Sequence, residues 1–221
     1  MIIPVCNGYF ITGSDTDVGK TYIGCELVRQ LKSLGSRLEI RKPAESGCVS
    51  DAGGRLLPAD ASRLNQANGN AEDLSRVSRY RFRAALAPNR AAEIEGMELP
   101  MTNLVEACSR DIEDSLLLVE GAGGFYSPLA SDGLNADLAD ALKLPVIIVV
   151  NDRVGAINQA LLTVQAVESR HLPVAAIILN RVLPDHETGM DNATGLRQYC
   201  SLPVFQCGYR QALPRLFEHD R

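Results

Sequence analysis

Gly13-Ser14-Asp15-Thr16-Asp17-Val18-Gly19-Lys20-Thr21 is the stretch on which the reading of this chain turns. The apolar run Tyr9-Phe10-Ile11-Thr12 precedes it and reads as a short buried strand. Tyr22 to Leu31 follows it with the apolar spacing of an amphipathic helix. Strand, glycine-bounded loop, Gly-Lys-Thr and helix are the context in which a phosphate-binding loop works. Backbone N–H groups line a concavity, and the helix start adds partial positive charge. Lys20 is then set to neutralise the β- and γ-phosphates, and Thr21 to offer its hydroxyl to Mg²⁺. The loop departs from the general G-x-x-x-x-G-K-[ST] spacing: Ser14 stands where glycine is usual, and five residues separate Gly13 from Gly19. The alternative is a glycine-capped strand-to-helix turn that contains a lysine, and the flanking strand and helix favour the nucleotide site.

Outward from the loop, strand-like and helix-like segments alternate. Leu38 to Arg41, Leu116 to Val119, Val146 to Val150, Val174 to Leu179 and Pro203 to Phe205 read as strands. Helical patterning falls on Pro58 to Asn65, Met101 to Ile112, Asp137 to Leu142, Ile157 to Val167 and Thr194 to Tyr199, while residues 66–90 are weakly patterned. Continuous apolar strands between helices predict an α/β fold, one parallel sheet with helices on both faces, like a P-loop NTPase. With 221 residues, no internal repeat and no linker composition, the expectation is a single domain over residues 1–221.

Composition narrows the function classes. A net charge of −5 with no dense Lys/Arg run argues against a nucleic-acid partner. No apolar stretch reaches spanning length, which argues against a membrane role, and the first six residues lack the basic start of a signal peptide. Six cysteines without a C-x-x-C pair and three scattered histidines argue against zinc; free thiols in a reducing compartment predict a cytoplasmic protein.

In parallel sheets of this kind, ligands sit at the carboxyl ends of the strands. That rule gathers Gly13 to Thr21, Lys42, Glu120 with Gly121, Gly123 and Gly124, Asn151 and Asn180 into one crevice. Glu120 reads as a Mg²⁺ carboxylate opposite Thr21, or as a capping or solvent-facing acid. Asp60 reads as a second metal carboxylate or as an acid favoured by a helix N-terminus, and spacing does not separate the two. Lys42 reads as a phosphate or carboxylate contact or as a surface lysine. Asn180 reads as a cap or as a reader of a base edge.

Together these residues resemble one family, dethiobiotin synthetase, the ATP-dependent ring-closing enzyme of biotin synthesis. The resemblance rests on Tyr9 to Thr21, on Lys42-Pro43-Ala44-Glu45-Ser46-Gly47, on Asp60-Ala61, on Val119 to Leu129, on Gly155-Ala156-Ile157-Asn158 and on Asn180, and it runs from about residue 8 to residue 205. It implies that 7,8-diaminopelargonic acid captures carbon dioxide as a carbamate, whose oxygen attacks the ATP γ-phosphate. The resulting carbamic–phosphoric anhydride is then closed by the second amine, releasing ADP and phosphate. It further implies that Lys20, Lys42 and Thr16 are catalytic, and that Thr21, Asp60 and Glu120 hold Mg²⁺. Asp17, Val18, Gly19, Lys20, Thr21, Tyr22, Asp60, Glu120, Gly121, Ala122, Gly123, Asn180 and Arg181 would contact the nucleotide, with the glycines letting ligands approach the backbone. Thr16, Ser46 and Gly124 would contact the diamine, and Gly155, Ala156, Ile157 and Asn158 would receive its carboxylate from the neighbouring subunit of a homodimer.

Three stretches depart from the family pattern: Ala87-Pro88-Asn89, Asn151-Asp152-Arg153 and Gln206-Cys207-Gly208-Tyr209. Two other classes share the loop and sheet, a partition-type ATPase switch and a nucleotide-binding regulatory paralogue. The switch carries a lysine four positions before the second glycine, where this chain has Asp15. Its charge is opposite.

Overall fold

The computed structural model describes residues 2–109, 115–185 and 187–218. Six strands form the central sheet: β1 (Gly8–Gly13), β2 (Leu38–Arg41), β3 (Leu116–Gly124), β4 (Val146–Asn151), β5 (Val174–Asn180) and β6 (Val204–Cys207). Their order is β6-β5-β4-β1-β3-β2, and every neighbouring pair is parallel. The single-domain α/β architecture expected from the alternating pattern is the one observed.

The inner strands β1, β3, β4 and β5 read as apolar runs because both faces are buried, whereas edge strand β2 carries Glu39 and Arg41, paired with each other. Side chains alternate across the sheet, so Phe10, Leu117, Val119, Ile148 and Val150 enter one core, and Tyr9, Ile11, Leu118, Ile147 and Val149 enter the other. The second core is closed by α1 (Lys20–Ser33), α2 (Ala59–Ala67) and the C-terminal segment through Phe217. The helix α3 (Leu74–Val77) follows α2, and the first core is closed by α4 (Pro88–Ile94), α5 (Met101–Ser109), α6 (Asn135–Leu142), α7 (Ala156–Glu168) and α8 (Asn192–Arg197).

Chain direction places the crevice. After β1 the chain turns into α1 on one face, and after β3 it turns into the Asn135–Leu142 helix on the other. Loops departing to opposite faces from adjacent strands leave a gap between them at the carboxyl edge.

Three expectations are refined. The glycine run after Val119 is part of β3, not a loop beyond it. Ile11 pairs with Glu120 but Gly13 pairs with Gly124, so β3 carries two extra residues there and bulges. Residues 66–90, weakly patterned in sequence, hold the end of α2 and two short elements, Leu74–Val77 and Tyr80–Arg81, before the Pro88–Ile94 helix begins. The helix expected over Met101 to Ile112 is seen as Met101–Ser109, and Ile112 lies outside the described residues.

Candidate active site

The phosphate loop is anchored at both ends by backbone. Ser14 N–H donates to the Val149 carbonyl at 2.9 Å, and the Asn180 side-chain amide donates to the Val18 carbonyl at 2.9 Å. Gly19 turns the chain into α1 with φ of 84°, and a Cβ there would stand 2.2 Å from Asn180 Nδ2. Only glycine meets both conditions. No side chain caps α1 and no acid occupies its first turn, so its leading N–H groups face the cleft. Lys20 arches back over the loop and donates to the Asp15 carbonyl at 3.1 Å. Burial, and then the nearby charge of Lys42, pull the Lys20 pKa down to about 8.

Beneath the loop lies a polar floor. Thr21 Oγ1 and Lys42 Nζ both donate to Glu120 Oε1, each at 2.8 Å. Lys42 Nζ also reaches the Gly121 carbonyl at 3.2 Å and pairs with Asp60 Oδ2 at 3.6 Å. Burial by itself would lower the Lys42 pKa, but Glu120 and Asp60 outweigh it and hold the ammonium above the ordinary lysine value. Glu120 Oε2 is buried and has no protein hydrogen-bond partner. A buried carboxylate oxygen without a donor is costly unless a cation or water completes it.

Lys20, Thr21, Lys42 and Asp60 line a cleft of about 460 Å³, together with Thr16, Asp17, Gly19, Tyr22, Ser46, Ala122 and Gly123, while Glu120 lies behind Thr21 and Lys42. A second cavity of about 190 Å³ adjoins it, sharing Gly19, Tyr22 and Val182, and adds Asn180, Arg181, Tyr209 and Arg210. The structure thus brings most of the expected nucleotide residues around two connected spaces, one polar and one flanked by tyrosines. Tyr22 lines both, and its hydroxyl donates to the Gln211 carbonyl at 2.7 Å.

Other expected residues are placed differently. Val18, Glu120, Gly121, Gly124 and Asn151 line neither space, and Glu120, 2% exposed, meets the cleft through its bonds to Thr21 and Lys42. Glycine at 121 is required by packing: a Cβ there would stand 2.6 Å from Asn135 Oδ1, against the buried amide that ties Ala122, Gly124 and Ser127 together. Gly123, with φ of 78°, makes the turn at the cleft wall. Gly155, Ala156, Ile157 and Asn158 form the uncapped start of α7 and line neither space within this chain. In the departing stretches, Pro88 starts its helix and Tyr209 enters the second cavity.

Sequence reasoning passed over Glu45, Arg63, Val182 and Arg210, all of which line the two spaces. Glu45 had a legible signal, since it lies between Lys42 and Ser46. Among the described residues no group of three or more His, Cys, Asp or Glu side chains is gathered as a metal site. Thr21, Glu120 and Asp60 nevertheless suit Mg²⁺, which takes one or two carboxylates and completes its shell with phosphate and water. The observation that fits it is the donor set: the Thr21 hydroxyl and the Asp60 carboxylate line the cleft, and Glu120 Oε1 lies directly behind Thr21.

A parallel sheet whose first strand runs through this loop into α1 defines a phosphate-loop nucleotide-binding protein, and a family model described as an AAA domain matches residues 7–208. One solved structure, the signal recognition particle receptor FtsY of Elizabethkingia anophelis with GDP, shares the fold alone. It is 16% identical with a TM-score of 0.51, and the alignment covers 97% of this chain and 61% of that one. Curated relatives are far more similar. The ATP-dependent dethiobiotin synthetase BioD of Anaeromyxobacter dehalogenans (strain 2CP-C) is 43% identical over 181 residues, 81% of this chain and 79% of its own. That of Vesicomyosocius okutanii is 39% identical over 178 residues, 80% of each chain. The chain belongs to the ATP-dependent dethiobiotin synthetase family and is an ATP-dependent ligase of biotin biosynthesis.

Proposed function

We propose that the enzyme converts 7,8-diaminopelargonic acid, carbon dioxide and ATP into dethiobiotin, ADP and phosphate. One amine adds to carbon dioxide and loses a proton to give a carbamate. A carbamate oxygen displaces ADP from the γ-phosphorus, forming a carbamic–phosphoric anhydride. The second amine then attacks the carbonyl carbon, loses a proton and expels phosphate as the cyclic urea closes.

The observation that carries this reading is the floor of the cleft, where Thr21, Lys42, Asp60 and Glu120 converge beneath an uncapped helix start. Phosphoryl transfer asks chiefly for alignment and charge stabilisation, and these groups supply both. Lys20 and the N–H groups leading into α1 would hold the β- and γ-phosphates. Lys42, buried and charged, would stabilise the carbamate and the γ-phosphate as negative charge moves between them. Thr21, Asp60 and Glu120 would hold Mg²⁺, which supplies charge neutralisation of the phosphates. Thr16 and Ser46, on the cleft wall, would contact the diamine or its carbamate. Asn180 and Arg181 would face the adenine in the adjoining cavity. The uncapped start of α7 would bind the diamine's carboxylate in a partner subunit, so the working form is a symmetric dimer.

The direct test incubates the protein with ATP, bicarbonate and the diamine, following ADP release and product mass. Diamine-dependent ADP release with formation of the cyclic urea is expected. ADP release that ignores the diamine would overturn the reading.

A further inference from the structure

Glu45 is 6% exposed and lines the cleft, yet no step above uses it. Its two carboxylate oxygens are engaged separately. Oε1 accepts from the Asp60 N–H at 2.9 Å, and Oε2 accepts from the Ala61 N–H at 3.0 Å. Both donors belong to the first turn of α2, whose N-cap position is Pro58, without a side-chain cap. Glu45 is therefore the cap of α2, supplied from a distant segment. Charge-assisted bonds of this kind are stronger than neutral ones and complement the positive end of the helix.

Lys42 and Glu45 lie three residues apart in the segment leaving β2, and they hold Asp60 from two sides. Lys42 faces its carboxylate at 3.6 Å, and Glu45 holds its backbone. The Asp60 side chain is otherwise 37% exposed, with one further ion pair, to Arg63 at 3.9 Å. Without a fixed backbone such a side chain has little to aim it at the cleft floor. The geometry points to Glu45 as a positioning residue that fixes the start of α2, so that the Asp60 carboxylate meets the cation and phosphates over Lys42 and Thr21. This rests on the reading of Asp60 as a Mg²⁺ residue.

The test measures ADP affinity with and without Mg²⁺ by calorimetry, and amide exchange at residues 60 and 61. Glu45→Gln keeps the shape but turns one N–H acceptor into a donor. It is expected to speed exchange at those two amides and to lower the Mg²⁺-dependent gain in ADP affinity on the order of 10-fold, the scale for an outer-shell partner of a metal ligand. Metal-free ADP affinity should stay at the parental value. In an Asp60→Asn background the same change should remove nothing more, because its effect passes through Asp60. Adding Pro58→Ser to Glu45→Gln gives α2 its own cap and should recover much of the gain. If Asp60→Asn loses the Mg²⁺ gain while Glu45→Gln keeps it, the positioning role is overturned and the metal reading stands. If Asp60→Asn keeps the full gain, the metal reading falls and the positioning role falls with it. A loss of kcat in Glu45→Gln, with Mg²⁺·ADP affinity intact and no rescue by Pro58→Ser, would also overturn the proposal, making Glu45 a group that touches the diamine.

Discussion

Lys20 and Lys42 are both buried lysines at the same cleft, yet their surroundings drive them in opposite directions. Lys42 sits against Glu120 and Asp60 and holds its proton, while Lys20 bonds only to a carbonyl, and burial with the like charge of Lys42 outweighs the pull of Glu120, Asp60 and Asp17. Because the folded-state pKa of Lys20, about 8, lies below its ordinary 10.5, the folded protein binds fewer protons than the unfolded chain between those values. Its contribution to stability is therefore unfavourable below about pH 8 and is relieved as pH rises towards 10.5. A bound phosphate restores the ammonium, so ADP binding near pH 8.5 should take up part of a proton, read by calorimetry in buffers of differing ionisation heat. Lys20→Ala should abolish that uptake and lower turnover on the order of 10² to 10³, the scale for one preorganised charge stabiliser. Normal turnover in a folded Lys20→Ala protein would remove the loop from the chemistry. Glu120→Gln should blunt the Mg²⁺ dependence of ADP binding while metal-free binding is kept. It should also reduce stability, since Lys42 loses half of a buried pair. Superimposable Mg²⁺ titrations of variant and parent would make Glu120 a structural acid.

At the scale of elements, the inner strands were legible because burial on both faces writes an apolar run, as in Val146 to Val150. Helix α1 was legible from its apolar stripe, and the phosphate loop from glycine and lysine spacing. What escaped reading has physical causes. Leu74–Val77 and Tyr80–Arg81 are too short for any periodicity to accumulate. The bulge in β3 depends on pairing with β1, a partner more than a hundred residues away, so Gly121 and Gly123 look like a loop in sequence. The place of Glu45 between Lys42 and Ser46 was legible, but its capping of α2 was not, because no local spacing records a long-range bond. The bulge makes its own prediction. Gly121→Ala should drive a methyl into Asn135 and cost about 1–3 kcal/mol. For a chain of this size the melting temperature should then fall by roughly 2–4 °C for each kcal/mol. An unchanged melting temperature would mean that the Asn135 amide gives way without cost.

At the scale of the whole molecule, the start of α7 belongs to neither space lined by the phosphate loop, and that separation makes the dimer reading testable. Asn158→Asp would set a negative charge where the diamine's carboxylate is proposed to bind. Lys20→Ala and Asn158→Asp homodimers should each be weak. A mixed dimer would retain one site with an intact loop and an intact partner helix, so mixing should restore up to about a quarter of parental activity per site, the statistical share of a two-fold assembly. No recovery, with mixed dimers seen by mass spectrometry, would put the whole diamine pocket inside one subunit.

The strand carrying the phosphate loop is made first and used last. β1 lies between β4 and β3, and the loop beyond it is tied to Val149 and Asn180, far downstream in the chain. A nascent chain that has just emerged from the ribosome thus holds the glycines and lysine of its nucleotide site with nothing to hold them in shape. Such non-local pairing makes for slow folding, since loop closure must precede the reward. Fragments stopped short of Asn180 should fail to retain ADP however intact their first helix. Nucleotide capture becomes a late event in the birth of the molecule, and ATP in the surrounding solution can stabilise only chains that have passed Asn180.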